Sequence, residues 1–134
     1  MKTATIVDTN VFISALGWGG NARKIMKLWG DNKIKIITSV DVLNELREVL
    51  FRKKFNFINK EDKNELLFLL SEYSEIWTVK SNIKKSRDTK DDMILNLAND
   101  AKVDFIITGD EDLLVLKKHG KTKIVTPKQF LEYF

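Results

Sequence analysis

The chain has 134 residues, 43% of them hydrophobic, with 23 Lys and Arg against 19 Asp and Glu for a net charge of +4. It contains no cysteine, which excludes disulfides and thiolate metal sites, and no uninterrupted apolar run long enough to cross a membrane. These properties predict one soluble, cytoplasmic domain over residues 1–134, with a mild basic excess that favours a polyanionic partner.

Taken in order, Met1-Lys2 leads without a signal peptide into Thr5-Ile6-Val7, an apolar β-branched strand that stops abruptly on Asp8-Thr9-Asn10. An acid at the end of a core strand is a site candidate, because ligands gather at the carboxyl ends of strands in open α/β sheets. Gly17-Trp18-Gly19-Gly20 reads as a loop, with Trp18 expected to pack over the core edge. Asn21 is placed as the cap of a helix through Trp29, and residues 33–38 as a second strand.

Ser39 caps the next predicted helix, whose apolar face is Val42, Leu43, Leu46, Val49 and Leu50. Glu45 lies beside that face, and helical pattern alone reads it as a residue flanking the stripe. Asn59 caps a helix with apolar residues on nearly every side from Leu66 to Leu70, which predicts an interaction surface beyond the core contact. A third strand covers residues 76–79. The connection after it carries Lys80, Lys84, Lys85, Arg87 and Lys90, which serve equally well as a solvated loop or as phosphate contacts.

Asp91 and Asp92 open a helix whose buried face includes Ile94, Leu97 and Ala98. Helical geometry sends Asp91 toward the end of that face and turns Asp92 about 100° away, so Asp91 takes the ligand role and Asp92 is expected in solvent. Residues 104–108 repeat the opening device, a strand running to Gly109 and Asp110. Either Asp110 or Asp112 could serve as a helix cap; Asp110 is assigned to the site and Asp112 to capping or support of the ligands. His119 is read as lying at a helix C-terminus, without a catalytic role. A short strand at Ile124-Val125 and a helix opened by Pro127 complete the chain.

The alternation of strands and helices predicts an α/β fold, a three-layer α/β/α sandwich with a central parallel sheet. Four stretches, VDTNVFISAL, SVDVLNEL, RDTKDDMILNLA and IITGDEDLL, occur in this order over nearly the whole chain. In these the sequence resembles the PIN-domain ribonucleases, particularly the bacterial and archaeal toxin-like branch of toxin–antitoxin pairs. The resemblance implies that Glu45 joins Asp8, Asp91 and Asp110 in one acidic site, that the activity is RNA hydrolysis, and that dimers and a small antitoxin partner accompany it.

Carboxylates gathered in one place repel one another, so a cation is expected among them. With oxygen donors alone, Mg²⁺ or Mn²⁺ suits the site far better than Zn²⁺. The expected ligands are Asp8, Glu45, Asp91 and Asp110, with Thr9 and Asn10 orienting them and Lys84, Lys85 and Arg87 as RNA contacts. Two alternatives have no toxin role: a PIN-fold RNA-processing nuclease without an antitoxin, and a non-catalytic RNA-binding α/β domain.

Overall fold

A computed structural model describes residues 2–84 and 88–134. Lys85 and Arg87, singled out above, lie outside the described residues. Six strands form one sheet in the order β3-β2-β1-β4-β6-β5: β1 (Thr3–Val7), β2 (Ile34–Ser39), β3 (Glu75–Trp77), β4 (Phe105–Ile107), β5 (Lys118–His119) and β6 (Thr122–Val125). Every pairing is parallel except β5 with β6. The helices are α1 (Thr9–Gly17), α2 (Gly20–Gly30), α3 (Val40–Leu50), α4 (Lys60–Tyr73), α5 (Thr89–Ala101), α6 (Glu111–Leu114) and α7 (Pro127–Leu131).

The expected α/β/α layering is present, and the strand residues show why. Successive side chains of a strand face opposite ways. Val7, Ile36, Ile107 and Val125 therefore pack with α1, α2, α4 and α7, while Ile6, Ile37, Ile106 and Ile124 pack with α5 and α6. Helix α3 serves both sides: Leu46 and Leu50 belong to the first cluster and Val42 to the second.

Four local expectations are corrected. Helix α1 stands where the sequence shows no helical stripe, because Val11, Phe12 and Ile13 are all buried and continue the apolar signal of the strand. Gly19 and Gly20 both take positive φ, which glycine adopts without strain, so α2 starts at Gly20 rather than after an Asn21 cap. That turn leaves Trp18 69% exposed, its ring meeting Phe57 edge-on at 5.4 Å rather than covering the core. His119 ends a short antiparallel edge strand, not a helix.

Strand order also places the site. From β1 the chain winds outward to β2 and β3, whereas β4 and β6 lie on the other side of β1, so the winding reverses between β1 and β4. The crevice beyond the strand ends at such a reversal is where open α/β sheets bind ligands. Asp8 follows β1 there, and Thr108, Gly109 and Asp110 follow β4.

Candidate metal centre

The register of β1 and β4 pairs Val7 with Ile107, so the next residue on each strand, Asp8 and Thr108, also meet. Thr108 Oγ1 donates to Asp8 Oδ2 at 2.7 Å, and the Asp8 amide donates to the Ile107 carbonyl at 3.0 Å. Asp8 occupies the N-cap position of α1, yet its side chain makes no capping bond. Its carboxylate is held by the neighbouring strand instead, facing the crevice. Burial raises its pKa above the ordinary 3.8; hydrogen bonds from Thr108 and the Thr9 amide oppose the rise, and the nearby charges of Asp110 and Asp88 add to it.

Asp110 caps α6, its Oδ1 accepting the Asp112 amide at 2.9 Å, while its own amide donates to Thr108 Oγ1 at 3.0 Å. Thr108 thus ties Asp8 and Asp110 to one strand end. Asp91 comes from the first turn of α5 and is 4% exposed. Its pKa is raised from 3.8 to about 7, first by burial, then by a carboxyl–carboxyl hydrogen bond with Asp110, and further by the charges of Asp110, Asp8 and Asp88. Two carboxylates held this close repel each other unless a proton or a cation lies between them. Carboxylate oxygens of Asp91, Asp110 and Asp112 lie within 4.8 Å of one another.

Glu45 stands at the edge of this group. Its Oε1 lies 3.7 Å from Lys90 Nζ. Burial raises its pKa, the Lys90 charge opposes that, and Asp8 and Asp88 contribute further upward pressure. The structure therefore brings Asp91, Asp110 and Asp112 into direct proximity, joins Asp8 to them through Thr108, and leaves Glu45 within electrostatic reach of Asp8. Thr9 is 4% exposed, and its buried Oγ1 has no hydrogen-bond partner among the described residues; Asn10 is exposed.

Asp88 escaped the sequence reading. It caps α5, accepting the Lys90 amide at 2.9 Å, and its charge reaches Asp8, Glu45 and Asp91. The spacing could have revealed it, because residues at N-cap and N3 share one end of a helix, and Asp88 and Asp91 hold those two positions. Asp8, Asp88 and Asp110 all stand at helix N-caps, so positive helix ends converge on the acids.

Asp92 is corrected from exposed to buried, at 8% exposure. It lines a neighbouring cleft of about 270 Å³ with Ser39, Asp41, Ser81 and Asn96. Asn96 pins the wall of that cleft: its Oδ1 accepts the Ile83 amide at 2.6 Å and its Nδ2 donates to the Ile83 carbonyl at 3.2 Å. The start of the basic connection is thereby fixed to α5, with Lys84 exposed.

A family profile for the PIN domain matches residues 4–112. The chain belongs to the PIN-domain family. An uncharacterised protein of Methanocaldococcus jannaschii is 34% identical over 147 residues, covering 100% of this chain and 93% of that protein. The crystal structure of Mycobacterium tuberculosis VapC20, a sarcin-ricin loop cleaving toxin, matches the PIN fold here with a TM-score of 0.59 at 14% identity. That match covers 84% of this chain and 94% of the toxin.

The donor set fits a hard divalent cation: every candidate ligand is a carboxylate, oxygens of Asp91, Asp110 and Asp112 lie within 4.8 Å of one another, and the buried Thr9 hydroxyl next to Asp8 has no partner among the described residues. A stability test follows from Asp91. In metal-free protein its pKa is raised on folding, so between about pH 4 and about pH 7 the folded state retains a proton that the unfolded chain has lost. Stability should fall as pH rises through that window and then level off. Asp91→Asn removes the titration, so its melting temperature should exceed that of wild type at about pH 8 and approach it at about pH 5. A pH-independent gap between the two melting curves would refute this account of Asp91.

Proposed function

We propose that the protein is a metal-dependent endoribonuclease that hydrolyses RNA phosphodiester bonds, acting as the toxin of a toxin–antitoxin pair. The observation that carries this reading is the buried Asp91 paired with the half-buried Asp110 beside Asp8, at the sheet's point of reversal in a PIN-domain chain. The fold shared with a sarcin-ricin loop cleaving toxin and the net charge of +4 support RNA as the substrate.

Asp8, Glu45, Asp91 and Asp110 are the residues we assign to hold Mg²⁺ or Mn²⁺, with Asp112 close enough to join them. When bound, such a cation supplies Lewis-acid polarisation of a phosphodiester and makes water a stronger acid at neutral pH. The protein's own contribution is preorganisation. Thr108 fixes the Asp8 carboxylate, and the Asp112 amide fixes Asp110 Oδ1, so neither acid must reorient to meet a ligand. In the metal-free site Asp91 has its pKa raised to about 7, and a cation bound to its carboxylate would displace the proton it holds below that pH.

For partners, helix α4 exposes Phe68 at 58% and Tyr73 at 70%. Beside it, an apolar cleft of about 560 Å³ is lined by Leu16, Met26, Trp29, Leu66, Leu69 and Tyr73 and by none of the site acids. We assign this side of the molecule to a homodimer contact or an antitoxin. No helix among the described residues is long and apolar enough to cross a membrane, in keeping with a cytoplasmic role.

Purified protein incubated with labelled cellular RNA should cleave it in Mg²⁺ or Mn²⁺, stop on addition of EDTA and resume when excess metal is restored. Cleavage that persists in EDTA would remove the metal from the mechanism. RNA left intact but retained by the protein would favour the non-catalytic alternative.

A further inference from the structure

The acidic cluster is met by a cation of the chain itself. Lys90 occupies the first turn of α5, between Asp88 at the cap and Asp91. A helix N-terminus disfavours positive charge, so the helix gives no reason for a lysine there; the facing carboxylates do. Its Nζ lies 3.7 Å from Glu45 Oε1, beyond the ordinary N–H···O range of about 2.7–3.2 Å. The ammonium is therefore drawn to the carboxylate by charge without being locked to it. The Lys90 side chain is 47% exposed and that of Glu45 only 15%, so Lys90 has room to swing into solvent while Glu45 stays in place.

We propose that Lys90 is an internal counter-charge that competes with a divalent cation for Glu45 and thereby sets the metal affinity of the site. Without metal, the ammonium offsets part of the repulsion among Glu45, Asp8 and Asp88. A divalent cation at Glu45 must displace it and bear whatever repulsion remains from a positive charge a few ångströms away. The consequence is a site that fills only at higher free metal than its acids alone would require. This inference rests on reading the acids as a metal site.

The test titrates Mn²⁺ into metal-free wild type, Lys90→Met, Lys90→Arg and Asp110→Asn, with binding followed by calorimetry. Lys90→Met keeps the apolar stem and removes the charge, so it should bind Mn²⁺ about tenfold more tightly, while Lys90→Arg should stay within about twofold of wild type. Thermal melts add a second readout. Lys90→Met should melt below wild type in metal-free buffer, and saturating Mn²⁺ should close that gap; a purely packing role would lower both melts alike. Unchanged or weaker Mn²⁺ binding by Lys90→Met overturns the counter-charge role. Failure of wild type to bind Mn²⁺, or binding indifferent to Asp110→Asn, would instead overturn the metal-site reading beneath it.

Discussion

Asp8→Asn and Asp110→Asn are each expected to reduce RNA cleavage by on the order of 10²–10³-fold or more, the scale seen when one preorganised electrostatic contact is removed from a reacting centre. Both substitutions preserve side-chain size and the local bonds that matter for folding. Asn is as good a helix cap as Asp, so Asn at position 110 can still accept the Asp112 amide through its oxygen. At position 8 the amide oxygen can still accept from Thr108 Oγ1, and no capping bond is lost because Asp8 makes none. Loss of activity with an unchanged circular dichroism spectrum would therefore report on charge at the site rather than on damage to the fold. Cleavage at the wild-type rate by both variants, in saturating Mg²⁺ or Mn²⁺, would remove these residues from the mechanism.

How far the sequence carried the site depends on which interactions are local. Asp8 and Asp110 were legible because each ends an apolar strand, and that signal lies within a few residues. The bond between Asp8 and Thr108 was not, since it spans 100 residues and exists only because β4 lies directly beside β1. Asp92 shows the same limit in reverse. Helical geometry correctly turned it away from Asp91, but it is buried in the lining of a cleft whose wall Asn96 pins, an arrangement with no periodic signature. Helix α1 was hidden by being apolar around most of its circumference, and the β5–β6 hairpin by strands too short to carry an alternating pattern. Glu45 stands between these cases: its helix and cap were legible, whereas its approach to Lys90 depends on how α3 and α5 meet.

The same Asp8→Asn substitution should raise the melting temperature of the metal-free protein at about pH 8. Asp8 is 9% exposed, and its pKa is raised on folding, with burial the largest cause and the charges of Asp110 and Asp88 adding to it. The donors Thr108 and Thr9 reduce that penalty without cancelling it, because the net direction remains upward. A raised carboxyl pKa means that the ionised form is less welcome in the folded state than in the unfolded chain. The cost is fully present above the folded pKa and vanishes below the unfolded one, so a neutral isostere gains most at the higher pH. Divalent metal reverses the comparison: a ligand that binds only the folded form stabilises it according to its affinity. Wild type, with the stronger charge at the site, should gain more from Mg²⁺ than the variant, so the two melting temperatures should converge or cross as metal is added. Were Asp8 merely a residue at a helix start, exchange for Asn would change stability little and by the same amount with or without Mg²⁺. Melts of the two proteins across a Mg²⁺ series therefore separate a carboxylate held for a cation from one that only begins a helix.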